Sequence, residues 1–90
     1  MARIFVDPQP TPNPNALKFN VSIPVTEGGS QSFSSKEAAA GHPLAARLFA
    51  IDGVASLFML GNFVTVTKLP GASWDVLVPK VVEAIEAGGW

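Results

Sequence analysis

The run Val54-Ala55-Ser56-Leu57-Phe58-Met59-Leu60-Gly61-Asn62-Phe63-Val64-Thr65-Val66-Thr67-Lys68 decides the fold. Two arms rich in β-branched and aromatic residues flank Gly61-Asn62, and a pair of that kind is a strong hairpin signal. In the second arm Val64 and Val66 share one face, and Thr65 and Thr67 share the other. The spacing predicts antiparallel strands over 54–60 and 63–68, with one apolar face that must be covered.

The flanking sequence supplies the cover. Upstream, residues 16–22 alternate: Leu17, Phe19 and Val21 point one way, Lys18, Asn20 and Ser22 the other. That predicts a third strand. Residues 24–31 read as a loop or hairpin turn, and 31–34 as a short strand around Phe33. Ser34 or Ser35 can cap a short helix over 36–40, closed by Gly41. Pro43 suits the first turn of a second helix over 43–51, with Leu44, Leu48 and Phe49 on one face. Asp52-Gly53 ends it. Downstream, 69–72 is a loop, and Ser73 caps a last helix with Asp75 at its positive end. Trp74, Leu77, Val78, Val81 and Ile85 recur there at helical spacing. Pro79 predicts a tightened first turn or a kink, and Gly88-Gly89 ends the helix.

The expected fold is α+β, a small antiparallel sheet with helices packed on one face. The expected core includes Leu17, Phe19, Leu48, Phe49, Val64, Val66, Leu77 and Val81. Trp74 and Phe58 read as core rather than as a stacking platform, because their neighbours share an apolar face.

The N-terminal stretch reads differently. Residues 3–6 suggest a short strand. From Asp7 to Asn15 there is a proline at every second position, at 8, 10, 12 and 14. Each fixes its own φ and pushes its predecessor toward extended geometry. The segment therefore reads as a polyproline-like lead-in that cannot be a central strand. Thr11-Pro12-Asn13-Pro14-Asn15 has two readings. It is a brace whose asparagines make their own turn bonds, or it is a stiff surface that docks with little ordering cost. In the second reading Thr11, Pro12, Asn13, Pro14, Asn15 and Lys18 form a protein-binding surface, with Arg47 as an alternative centre.

Length and composition bound the rest. Ninety residues make one domain, 1–90, with room for one modest core. The six basic residues are scattered and the formal net charge is −1. Such a chain lacks the basic patch that nucleic acid requires. No apolar run approaches the roughly 18 residues that span a bilayer, and Met1–Asp7 is too short and too early broken for a signal peptide. The expectation is a cytoplasmic monomer without membrane or nucleic-acid partners. There is no cysteine, so no thiolate can serve as nucleophile or ligand. The single histidine, His42, stands directly before Pro43 and reads as a helix cap or surface residue. Asp7, Asp52 and Asp75 each have a structural role at a turn or helix end. No catalytic residue, metal ligand or cofactor site emerges, and no cofactor is expected.

Several motifs together resemble one family. "TPNPNALKF" at 11–19, "HPLAARLFAIDGVASLF" at 42–58 and "FVTVTK" at 63–68 resemble the N-terminal domain of Nfu-type (NifU-like) iron–sulfur scaffold proteins. Trp74 and Asp75 opening the last helix, with Pro79 shortly after, match it too. The similarity runs in order along nearly the whole chain. The resemblance implies an α+β accessory module. In two-domain relatives a Cys-Xaa-Xaa-Cys motif of the other domain bridges the cluster; the expectation here is a stand-alone module without that domain. None of the family's ligand residues maps onto this chain. The expected function is a non-enzymatic interaction module whose partner is an iron–sulfur assembly or client protein. The alternatives are a weak iron-binding protein using oxygen or His ligands, and a small enzyme.

Overall fold

The computed structural model describes residues 4–26, 28–88 and 90. The elements in chain order are β1 (Val6–Pro10), β2 (Ala16–Val21), β3 (Gln31–Phe33), α1 (Lys36–Ala39), α2 (Pro43–Phe49), β4 (Val54–Leu60), β5 (Phe63–Lys68) and α3 (Trp74–Glu86). The strands form one antiparallel sheet in the order β1-β2-β5-β4-β3.

The hairpin forms as its sequence predicts, and β4 and β5 lie inside the sheet, flanked by β3 and β2. Leu60 pairs with Phe63 across Gly61-Asn62. Gly61 has φ +58°, and among the described residues no non-glycine has positive φ. Glycine alone at the first central position is the type II′ pattern, whose twist matches that of the strands. The segment after β2 clasps the turn. The Val25 N–H donates to the Gly61 carbonyl at 2.8 Å, and the Gly61 N–H donates to Thr26 Oγ1 at 3.1 Å.

Register explains the core. Phe19 lies opposite Val64, and Val64 opposite Met59; Leu17 lies opposite Val66, and Val66 opposite Leu57. Phe19, Met59, Val64 and Val66 are fully buried on this face. Leu44, Leu48 and Phe49 of α2 and Val81 and Ile85 of α3 join the same cluster. The helices therefore cover one face of the sheet and leave the other open. The fold is α+β, as expected.

The N-terminal strand differs from expectation. It runs over 6–10, not 3–6, and so includes two prolines; Arg3 lies outside the described residues. Its position explains the tolerance. β1 is an edge strand, and the Ser22 N–H donates to the Phe5 carbonyl at 2.9 Å. Backbone groups alternate in direction along an antiparallel strand, so residues 5, 7 and 9 face β2. Pro8 and Pro10 occupy the alternate positions, whose N–H would point away from the sheet. The prolines cost no ladder bond there and blunt the edge against further pairing.

Other differences are smaller. Strand β2 ends at Val21, α2 at Phe49 and α3 at Glu86. Leu17 is half-buried, at the flank of the core. Phe58 is corrected more strongly. It lies opposite Thr65 on the open face and is 38% exposed, so it is not core. Its neighbours at 57 and 59 take the buried face because the strand period is two. Helix α3 stays helical through Pro79, and its first turn is tightened, with the Val76 N–H donating to the Ser73 carbonyl at 3.1 Å.

Candidate functional site

The β1–β2 connection carries five of the seven residues singled out from sequence. It is a closed network rather than a free segment. The Asn13 carbonyl accepts from the Ala16 N–H at 3.0 Å, and Asn13 Oδ1 accepts from the Asn15 N–H at 2.9 Å. The Thr11 hydroxyl accepts from the Asn13 N–H at 3.2 Å and lies 2.9 Å and 2.8 Å from the Asn13 and Ala16 carbonyls, which share its one proton. Nested side-chain and backbone turns of this kind fix a loop locally.

Distant residues fix it further. The Lys68 N–H donates to the Asn15 carbonyl at 2.8 Å, and Lys68 Nζ donates to Asn15 Oδ1 at 3.2 Å. The Trp74 indole N–H donates to the Pro14 carbonyl at 3.1 Å. The acceptor oxygens of both asparagines are thus engaged within the chain. Pro12, Asn13 and Pro14 remain exposed at the tip, while Thr11 and Asn15 are half-buried.

Lys18 lies on the open sheet face, as its strand parity requires. It is half-buried, with its ammonium 4.3 Å above the Phe63 ring. Arg47 is not near the turn. Its guanidinium donates to the carbonyls of Ala84 at 3.1 Å and Gly88 at 2.6 Å, so it closes the C-terminal end of α3. Trp74, which holds the turn, is at the opposite end of that helix. Ten residues of helix separate Trp74 from Ala84, or roughly 15 Å. The sequence-derived surface therefore divides into a tip at one end of α3 and a helix cap at the other.

Little else has chemical potential. His42 is the N-cap of α2, with Nδ1 accepting from the Ala45 N–H at 3.2 Å and the ring edge-on to Phe33. Among the described residues no three of His, Cys, Asp and Glu are grouped to hold a metal ion, and no helix is long and apolar enough to cross a membrane.

Sequence reasoning missed two apolar surfaces. Phe58 and Leu60 are each 38% exposed on the open sheet face, with Phe63 beside Phe58 at 6.1 Å between ring centroids. Leu69 and Val76 are 50% and 54% exposed where β5 turns into α3. Val76 carried a signal: it is an apolar residue off the helical stripe.

Comparison with known proteins places this fold. The family model described as "Scaffold protein Nfu/NifU N terminal" matches residues 6–88. The chain belongs to that family. This Nfu N-terminal chain is 44% identical over 82 residues to NifU-like protein 4, mitochondrial, of Arabidopsis thaliana; the match covers 91% of this chain and 29% of that protein. It is 42% identical over 83 residues to the mitochondrial NFU1 iron-sulfur cluster scaffold homolog of Homo sapiens, covering 91% of this chain and 33% of that protein. The chain thus spans a third or less of these curated relatives. Among solved structures, a NifU-like protein of Saccharomyces cerevisiae shares the fold with TM-score 0.82 at 24% identity, covering 94% of this chain and 77% of that one. A Staphylococcus aureus protein matches with TM-score 0.75 at 25% identity, covering 91% of this chain and 99% of that one.

These relatives correct one expectation. The plant and human proteins are mitochondrial, which overturns the cytoplasmic assignment for the Nfu N-terminal chain. That assignment rested on seven leading residues and on the lack of a spanning run, and neither carries information about compartment.

Proposed function

We propose that these residues form a non-enzymatic accessory module that docks onto proteins of iron–sulfur cluster assembly or delivery. The carrying observation is membership of a scaffold-protein family by a sequence that contains no cysteine. Clusters are held chiefly by cysteine thiolates, so this module contributes contacts rather than ligands. Its one histidine serves as a helix cap, with Nδ1 accepting the Ala45 N–H, which weighs against that nitrogen acting as a general base. The absence of grouped carboxylates among the described residues weighs against a protein-ligated iron site.

The β1–β2 tip supports docking as a pre-ordered surface. Pro12, Asn13 and Pro14 are exposed, and the bonds from Lys68 and Trp74 hold the loop in one shape. A surface already ordered loses little entropy on association.

Two measurements test the reading. Anaerobic reconstitution with iron and sulfide should leave no stable cluster absorbance on the purified chain. Calorimetric titration against a purified Cys-Xaa-Xaa-Cys scaffold domain and against iron–sulfur client proteins should give saturable binding to at least one. A stoichiometric cluster on this chain, or no binding to any of them, overturns the proposal.

A further inference from the structure

The link between α2 and β4 contains Asp52-Gly53. An aspartyl residue followed by glycine can react with its own backbone. The amide nitrogen of the next residue attacks the side-chain carboxyl carbon, and the ring closes to a cyclic imide. Glycine is the most permissive follower, since no Cβ shields its nitrogen. Closure needs an open nitrogen, an available carboxyl and a peptide unit that can rotate.

Asp52-Gly53 meets all three needs. Asp52 is exposed, and among the described residues its carboxylate has no hydrogen-bond or ion-pair partner. Neither group of the peptide unit between the two residues is bonded. Among the described residues the Asp52 carbonyl accepts nothing and the Gly53 N–H donates to nothing. The chain on either side is held. The Val54 N–H donates to the Ile51 carbonyl at 3.4 Å, and the Leu69 N–H donates to the Gly53 carbonyl at 2.8 Å. This peptide unit can turn without breaking a hydrogen bond of its own.

The other Asp and Asn residues lack the combination. Pro8 and Pro14 follow Asp7 and Asn13 and have no N–H to give up. The N–H groups after Asn15, Asn20 and Asp75 are engaged. Ala16 donates to the Asn13 carbonyl at 3.0 Å, Val21 to the Asn62 carbonyl at 2.7 Å and Val76 to the Ser73 carbonyl at 3.1 Å. Phe63 follows Asn62 and pairs with Leu60 to close the hairpin, where the two residues exchange backbone bonds. The fold therefore leaves one reactive position among all the Asp and Asn residues of the chain.

We propose that Asp52-Gly53 is a self-modification site, which converts to an isoaspartyl linkage and so becomes a substrate for carboxyl methylation. The bond that forms joins the Gly53 nitrogen to Asp52 Cγ. The bond that breaks joins Cγ to its hydroxyl oxygen, which leaves as water with the amide proton. Water then opens the imide. Attack at Cγ restores aspartate. Attack at the main-chain carbon leaves Gly53 joined through the side chain and frees an α-carboxylate. An oxygen of that carboxylate can take the methyl group of S-adenosylmethionine in a methyltransferase, releasing the thioether. The main chain is then one methylene longer between α2 and β4, beside the carbonyl that accepts from Leu69. The junction loosens there.

The test ages the purified chain in warm, near-neutral buffer beside a disordered peptide carrying residues 48–56. Both are mapped by proteolysis, with electron-transfer fragmentation to tell isoaspartate from aspartate. Isoaspartate should build up at position 52 at a rate within about tenfold of the peptide's, since turning this unit breaks no bond. A transient species lighter by one water should precede it. The aged chain should accept labelled methyl from S-adenosylmethionine in the presence of an isoaspartyl methyltransferase. Aged Asp52→Glu should not, because its longer side chain closes a larger ring more slowly. Asn15 and Asn20 should stay intact in the folded chain and convert once urea frees the Ala16 and Val21 amides. In the isoaspartyl fraction the Leu69 amide should exchange faster. Conversion at position 52 more than about tenfold below the peptide's rate overturns the proposal. Earlier conversion of Asn15 or Asn20 in the folded chain, or equal methyl acceptance by aged Asp52→Glu, overturns it as well. Unchanged Leu69 exchange in the isoaspartyl fraction overturns the loosening of the junction.

Discussion

The Trp74 indole N–H donates to the Pro14 carbonyl at 3.1 Å, joining the first residue of α3 to a turn 60 positions earlier in the chain. The same ring lies 6.5 Å from that of Phe19, centroid to centroid, so Trp74 bonds to the turn and packs against the core. Trp74→Phe keeps most of the packing and deletes the donor. We expect a loss of about 0.5–1.5 kcal/mol, seen as a melting temperature lower by several degrees for a domain of this size. Amide exchange at Asn15 and Ala16 should speed up more than at the centre of β5. An unchanged melting curve would show that the bond contributes nothing net.

The asparagines of the turn make a second prediction. Asn13 Oδ1 accepts from the Asn15 N–H, and Asn15 Oδ1 accepts from Lys68 Nζ. Asn13→Ala removes a local turn bond, and Asn15→Ala removes a tether to β5. Each should cost about 0.5–1.5 kcal/mol in denaturant unfolding. Their effects should not add, because both act on one small network. A double variant that melts like wild type yet loses calorimetric binding to an iron–sulfur partner would instead make the amides binding groups.

Arg47 yields a third. Its guanidinium meets the carbonyls of Ala84 and Gly88, which lack helical partners at the C-terminal end of α3. A cation there also complements the helix dipole. Arg47→Ala should cost about 1–2 kcal/mol, discounted for a half-exposed site. Fraying should concentrate in the last turn of α3, read by faster amide exchange at Ala87 and Gly88. Both bonds come from one guanidinium nitrogen, so Arg47→Lys, which keeps the charge and a single donor nitrogen, should recover part of the loss.

The sequence was most informative where structure is local. Gly61-Asn62 with period-two arms specifies the hairpin within fifteen residues, and the apolar stripe of α3 specifies which of its faces is buried. Strand β1 was legible only as a negative, since prolines argue against a central strand. Whether Pro8 and Pro10 fall on the outward parity depends on pairing with β2, which is a property of register. The turn residues were conspicuous by type, but their partners were not. Lys68 and Trp74 stand 53 and 60 positions from theirs, and the acceptors of Arg47 stand 37 and 41 positions away. The exposed apolar surface at the β5–α3 junction had only Val76 as a trace. An off-stripe valine signals exposure, and nothing local signals that Leu69 and Gly53 will meet it.

Gly53 yields the last prediction. It has φ +102°, a conformation that L side chains rarely adopt, and it sits between α2 and β4. A Cβ at this position would also lie 3.0 Å from Ala72 Cβ and 3.3 Å from Leu77 Cδ2. Gly53→Ala therefore meets two separate penalties. Backbone strain costs about 1–3 kcal/mol, and overpacking against Ala72 and Leu77 adds about 1–3 kcal/mol where the neighbours cannot yield. We expect a total of about 2–6 kcal/mol, a large share of the stability of a small domain. A double-mutant cycle separates the two. Ala72→Gly removes the atom that the added methyl would strike and leaves φ unchanged. Combined with Gly53→Ala, it should recover the steric part, giving a favourable coupling of about 1 kcal/mol. Zero coupling would assign the whole cost to φ. Gly53→Ala at wild-type stability would show that the loop shifts freely.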